Sequence, residues 1–278
     1  MTKYLSYTFE DNEETANTCD ELPFWSAPFG LLLFKYLELK PNLTIVDIGS
    51  GGGFPLLELA ERVGESCQFF GIDTWKNANK RAEEKIRSYN ISNVKIIEAS
   101  AENMPFDDSS IDLIISNLGI NNFDNPEKVF EECNRVLKTE GNLVITTNMN
   151  GHWKEFYDVF EKTLEETNQQ QLIEKLNIHQ EKRGNIESIT KLFTDRGFKI
   201  SKCYEETFEM KFLNGTAFFN HHFIKLGWLD SWKTIVPEER LYETFSKLEN
   251  NLNLLSEKYG GLTLSVPMAF FEGKKKKN

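Results

Sequence analysis

Short runs of β-branched and apolar residues recur along the chain, separated by stretches whose apolar positions repeat every three or four residues. Thr44-Ile45-Val46-Asp47-Ile48, Cys67-Gln68-Phe69-Phe70-Gly71-Ile72-Asp73, Val94-Lys95-Ile96-Ile97-Glu98-Ala99, Ile111-Asp112-Leu113-Ile114-Ile115-Ser116-Asn117 and Leu143-Val144-Ile145-Thr146-Thr147 each have strand length and strand composition. Between them, 55–63, 77–89 and 126–137 read as helices. Asn125-Pro126 starts the last in the favoured way, a side-chain cap followed by proline in the first turn. Strands alternating with helices predict a parallel sheet covered by helices. Before the first strand, Ala27 to Leu39 has Phe29, Leu32, Leu33 and Tyr36 at helical spacing.

Past His152 the pattern changes. Residues 153–177 predict one long helix or two consecutive ones, and a further helix runs from about Ile186 to Arg196. Phe198 to Phe212 and Leu262 to Phe271 read as sixth and seventh strands, with about fifty residues between them. That interval holds an aromatic-rich segment, 216–232, and a helix from Pro237 toward Tyr259 that ends at Gly260-Gly261. It is expected to be a helical insertion serving as a substrate-selecting lid, with an ordinary hydrophobic flap or a homodimer contact as the competing reading. The expected division is 1–40 as an N-terminal cap segment and helix, 41–214 with 262–273 as the core, and 215–261 as the insertion.

The first strand ends in an acidic residue and a glycine turn, Asp47-Ile48-Gly49-Ser50-Gly51-Gly52-Gly53, before the first helix of the alternating series. Glycines there remove the Cβ atoms that would keep a ligand off the main chain. The dinucleotide pattern G-x-G-x-x-G fails, because its third glycine would fall on Phe54. Asp73, at the end of the second strand, lies where a carboxylate can accept hydrogen bonds from both hydroxyls of a ribose.

The spacing D-x-G-x-G-x-G, filled by Asp47, Gly49, Gly51 and Gly53, resembles the first motif of the class I S-adenosylmethionine-dependent methyltransferases. Two further segments carry the likeness. Ser100-Ala101-Glu102-Asn103-Met104-Pro105-Phe106 is similar to the G-D-A-E-x-L-P-F segment of the methyltransferase type 11 group, with Ser100 in place of the Asp that reads the adenine amino group. Asn125 to Thr147 is similar to the same group's P-x-x-x-x-x-E-x-x-R-V-L-K-x-x-G-x-L segment, with Arg135, Val136, Leu137, Lys138 and Gly141 in register.

The resemblance implies a Rossmann-like three-layer α/β sandwich, with a seven-stranded, mostly parallel sheet and an antiparallel seventh strand. It implies S-adenosyl-L-methionine as methyl donor and S-adenosyl-L-homocysteine as product. Asp47, Gly49, Ser50, Gly51, Gly53, Asp73, Thr74, Ser100, Ala101, Glu102, Asn117 and Leu118 are the cofactor-binding candidates. Tyr7, Trp25, His152 and Phe219 are candidates for a substrate pocket. Proton removal from an acceptor needs a base, for which His221 and His222 are the candidates; adjacent helix positions point about 100° apart, so the two do not serve one proton.

Composition narrows the partners. A net charge of −11 disfavours a nucleic-acid backbone, which needs clustered Lys and Arg. Twenty-two Phe residues, with Trp228 and Trp232 in the insertion, suggest a small apolar or aromatic acceptor; protein or RNA methylation and a non-catalytic cofactor-binding module are the alternatives. Cys19, Cys67, Cys133 and Cys203 are far apart and form no C-x-x-C pair, so no metal site is expected. The polar, acidic start and the absence of a long apolar run predict a cytoplasmic protein without a membrane span.

Overall fold

The computed structural model describes residues 2–21 and 24–277; Met1, Leu22, Pro23 and Asn278 lie outside the described residues. The chain divides into two compact units. One contains Asp11–Asn148, Gly184–Glu206 and Met268–Asn278; the other contains Met1–Glu10, Met149–Arg183 and Thr207–Pro267.

The first unit is built on the sheet. Its strands are β1 (Thr44–Ile48), β2 (Gln68–Asp73), β3 (Val94–Glu98), β4 (Ile111–Asn117), β5 (Leu137–Asn148), β6 (Phe198–Phe212) and β7 (Leu262–Lys275), in the order β3-β2-β1-β4-β5-β7-β6. β1 to β5 pair in parallel, and β7 runs antiparallel to β5, with Asn148 opposite Met268. This is the predicted seven-stranded architecture. β6 and β7 each contribute their other residues to the second unit.

The central strands are buried on both faces, which is why they read as continuous apolar runs. Val46, Ile114, Ile115, Leu143, Val144 and Ile145 have no exposed surface. The helices of this unit are α1 (Glu13–Glu21), α2 (Ser26–Tyr36), α3 (Leu56–Val63), α4 (Lys76–Tyr89) and α5 (Pro126–Val136). α3 and α4 pack on β2, α4 also on β3, and α2 and α5 on β5. Asn125 caps α5, its Oδ1 accepting from the Lys128 N–H at 3.0 Å with Pro126 at the first helical position, as the sequence predicted.

β5 begins earlier than its apolar run suggested. Residues 138–142, which precede that apolar run, belong to the strand: Leu137 pairs with Ile111, and an irregularity in register follows before Asn142 meets Leu113. Gly141 permits it, since a Cβ there would stand 2.9 Å from the Lys138 carbonyl oxygen.

The second unit is mainly helical. Between β5 and β6 the chain forms α6 (Lys154–Glu166), α7 (Ile173–Glu181) and, back in the first unit, α8 (Ile186–Asp195). The polar stretch that starts at Asn168, which has a φ of 54°, separates α6 from α7, so the two-helix alternative is the observed one. The interval between β6 and β7 holds α9 (Gly215–Asn220), then α10 (His222–Ile224), a π-turn over Lys225–Leu229, α11 (Asp230–Lys233) and α12 (Leu241–Tyr259). α12 packs against α6 and α9. Residues 149–183 therefore fold with the expected insertion, although the expected division had assigned them to the core. The reason lies in the aromatic rings: Phe156 of α6 stands 4.4 Å from Trp232, and Phe160 stands 5.9 Å from Phe245.

Candidate functional site

In the sheet order the chain reverses direction of travel between β1 and β4, and ligands of open α/β sheets bind beyond the carboxyl ends of strands at such a point. The first unit has a cavity there of about 390 Å³, within the usual range of about 300–1,000 Å³ for small-molecule sites. It is lined by the ends of β1 (Gly49), β2 (Ile72, Asp73), β3 (Ala99) and β4 (Asn117), with loop residues following each.

The glycine turn is held by the neighbouring strand. The N–H groups of Gly49 and Ser50 donate to the Ile72 carbonyl oxygen at 2.8 and 3.2 Å. Gly51 N–H donates to Asp73 Oδ2 at 2.8 Å, and Trp75 N–H donates to Asp73 Oδ1 at 2.8 Å. One carboxylate thus fixes the turns after both β1 and β2. Since a carboxylate offers about four acceptor positions, two stay open for a ligand. Gly49 has a φ of 74° and a Cβ there would meet Gly119 Cα at 3.2 Å; Gly51 has a φ of 49°, with nothing within 4 Å of where its Cβ would stand. That second position is a cradle of bare main chain open to an occupant.

Asp47 lies beneath the turn with no exposed surface, and neither carboxylate oxygen has a hydrogen-bond partner. Burial, and then the Asp73 charge, push its carboxyl well above the ordinary carboxylate range.

Thr74, Ser100, Ala101, Glu102, Asn117 and Leu118 all line the cavity. Ser100 Oγ accepts from the Glu102 N–H at 3.2 Å, and the Glu102 carboxylate lies 3.5 Å from Lys128 Nζ. Arg135 secures the loop that follows: it donates to the carbonyl oxygens of Phe106 at 2.9 Å and Met104 at 3.1 Å, while Glu132 accepts from the Met104 N–H at 2.7 Å. The Asn117 amide is committed elsewhere, accepting from Thr146 Oγ1 at 2.7 Å and donating to the Ser26 carbonyl oxygen at 3.2 Å, so what it presents to the cavity is mainly backbone. Leu118 holds a φ of 69°, a costly conformation for a branched residue at the cavity wall.

Sequence reasoning missed Ile72, Trp75, Ala99, Gly119, Asn122, Phe123, Asp124 and Val129 as lining residues. Most adjoin residues it did name. The segment 122–124 gave a signal, since it lies between the β4 end and the capped start of α5, on the edge where the other loops emerge.

The acceptor-side candidates are placed elsewhere, and none of them lines this cavity. Trp25 is half-buried in the first unit, its ring 5.2 Å from Phe29. The others belong to the second unit. Phe219 is fully buried in that unit's own core, stacked on Tyr4 at 4.7 Å and 5.9 Å from Phe245. His152 is 5% exposed and lies 4.3 Å from the Trp153 ring; burial first, then Arg183 and His179, hold its pKa well below the ordinary histidine value. Tyr7 is half-buried, with the His222 ring edge-on at 6.0 Å. His221 and His222 are both exposed, and the His221 ring meets Phe212 edge-on at 5.6 Å.

Comparison with known proteins agrees with this fold. A protein-family model described as a methyltransferase domain matches residues 39–197, more than half of the chain. A demethylmenaquinone methyltransferase from a Geobacillus species is 31% identical over 110 residues, covering 40% of this chain and 47% of that protein. An arsenite methyltransferase from Halobacterium salinarum is 28% identical over 111 residues, 40% of this chain and 28% of that protein. The chain thus spans about half the length, or less, of these curated relatives. Among solved structures, the YcgJ protein from Bacillus subtilis superposes with a TM-score of 0.59 at 17% identity, covering 91% of this chain and all of that one, which is a likeness of fold.

Proposed function

The chain belongs to the methyltransferase-domain family, with the fold of the class I S-adenosylmethionine-dependent enzymes, and from that premise we propose that it transfers a methyl group from S-adenosyl-L-methionine to a small, apolar or aromatic acceptor. The observation that carries the reading is the Asp73 carboxylate, which bridges the Gly51 and Trp75 N–H groups at the mouth of a cavity lined by the ends of β1, β2 and β4.

The residues present fit the donor. Gly51 offers main chain without a Cβ, and Asp73 retains acceptor capacity for the two hydroxyls of a ribose. The loop from Ser100 to Glu102, which runs into the segment that Arg135 holds at Met104 and Phe106, would hold the base beside Trp75 and Thr74. When bound, S-adenosyl-L-methionine supplies an electrophilic methyl on a sulfonium and leaves as S-adenosyl-L-homocysteine. The work left to the chain is alignment of the acceptor. An acceptor that is already nucleophilic requires no base, and exposed imidazoles such as His221 and His222 are poorly shielded from water for that task.

We assign acceptor selection to the helical unit, which contains the insertion 215–261. The demethylmenaquinone methyltransferase relative acts, by its name, on a quinone, and supports an acceptor of that class. In the same reading the protein works in the cytoplasm and has no nucleic-acid partner, in keeping with its charge of −11; no helix of the described residues is long and apolar enough to cross a membrane. The test is methyl transfer from radiolabelled S-adenosyl-L-methionine to a panel of quinols, phenols, polar amines and RNA. Turnover of quinols or phenols is expected. Turnover confined to polar amines or RNA overturns the acceptor class, and calorimetry without detectable donor binding overturns the whole reading.

A further inference from the structure

Trp75 stands at the wall of the donor cavity and is held at main chain and side chain alike. Its backbone N–H donates to Asp73 Oδ1 at 2.8 Å, and its indole Nε1 donates to Asp11 Oδ1 at 2.7 Å, across 64 residues of sequence. The same Asp11 oxygen accepts from Asn77 Nδ2 at 2.9 Å. These two donors, Asn77 first, hold the Asp11 carboxyl below the ordinary carboxylate range. An indole N–H can only donate, so a carboxylate at this point fixes the direction of the ring.

Asp11 is itself exposed, and the helix that follows supplies its anchorage. α1 meets α4 with acids on one side and bases on the other: Glu13 pairs with Lys80, and Asp20 accepts from Arg81 at 2.9 Å and from Lys85 at 2.5 Å. Glu13, Ala16 and Asp20 share one face of α1, and Ala16 is the only buried side chain among the described residues of that helix. With so little apolar surface, the attachment rests chiefly on charge. Asp20 also reaches the glycine turn. A Cβ on Gly52 would stand 3.0 Å from Asp20 Oδ1, whereas the space beside Gly51 is open. The glycine at 52 thus makes room for the chain's own helix, and the one at 51 for an occupant.

We propose that Asp11 is a positioning residue for the methyl donor: through Trp75 Nε1 it sets the indole against the cavity, and α1, stitched to α4 by ion pairs, holds Asp11 in that place. The inference rests on the methyl-donor reading and adds to it a salt-sensitive part, since no residue of α1 lines the cavity. Salt shortens the reach of exposed charges from about 10 Å at 0.1 M to about 3 Å at 1 M.

The test is calorimetry of S-adenosyl-L-homocysteine, which carries no net charge, with the wild-type chain, Asp11→Ala, Trp75→Phe and the double variant. Trp75→Phe keeps an aromatic wall and removes the N–H. Asp11→Ala is expected to weaken the ligand about threefold or more in the wild-type background and to add nothing in Trp75→Phe, because the two residues act through one bond. Asp11→Asn, whose amide oxygen still accepts, should bind within about twofold of wild type. Raising salt from about 0.05 to about 0.5 M is expected to weaken binding by the wild type and to leave Asp11→Ala nearly unchanged. Glu14→Gln, on the same helix but outside its ion pairs to α4, is the control and should match the wild type. Unchanged affinity in Asp11→Ala, an equal loss in both backgrounds, no rescue by asparagine, or a parallel salt response in wild type and Asp11→Ala overturns this inference and leaves the donor reading standing. No uptake by the wild type overturns both.

Discussion

The carboxylate of Asp73 reaches back across 22 residues of sequence to accept the N–H of Gly51 at 2.8 Å. The residue expected to hold a ribose is therefore also the peg that fixes the glycine turn before any ligand arrives. Asp73→Ala is expected to lower stability by about 1–3 kcal/mol, since two N–H donors lose their acceptor, and to weaken S-adenosyl-L-methionine in the same protein. Asp73→Asn should fall between, because an amide keeps one acceptor oxygen. Thermal melts paired with calorimetry check both effects; wild-type melting of Asp73→Ala would remove the structural role.

At Gly51 the two requirements, backbone and space, can be separated. Valine at a φ of 49° carries backbone strain of about 1–3 kcal/mol, whereas asparagine tolerates that region. Gly51→Val is expected to melt lower and to lose measurable donor binding. Gly51→Asn is expected to melt near wild type while binding the donor less well, because its side chain enters the open space. Calorimetry showing unchanged affinity in both variants would sink the site assignment.

Asp47 should leave a signature in the pH dependence of stability. Its carboxyl holds its proton more tightly when folded than when unfolded, so the folded state binds more protons in the interval between the two pKa values. Stability from this group is complete below about pH 4 and declines as pH rises through the folded value. Urea denaturation of the wild type and Asp47→Asn between acid and neutral pH measures it. The variant is expected to lack that part of the decline, and parallel curves would show that Asp47 contributes none.

Phe219 and the adjacent histidines make a further contrast. Phe219→Ala is expected to cost about 3–5 kcal/mol in a urea melt, as a buried ring leaves a cavity. His221→Gln and His222→Gln should stay within about 0.5 kcal/mol of wild type, as exposed substitutions do. Turnover should survive in both. A fall in kcat of about a hundredfold or more in one of them, with donor binding intact, would assign proton removal to that histidine.

The sequence by itself determined the sheet and the residues that gather at its carboxyl edge. Gly49, Asp73, Ser100, Asn117 and their neighbours were legible because each sits at or just past the end of a short apolar strand, and parallel strands of such runs deliver their ends to one side. Arg135 was legible as part of a motif, but not as the clamp on the loop at Met104 and Phe106. Tertiary structure alone decided which groups close on one another at long range: Asp73 on Gly51, Phe156 on Trp232, and Phe160 on Phe245. Periodicity reports which face of an element is buried and not what buries it. Segment 149–183 therefore joined 207–267 through aromatic packing that no local pattern announces.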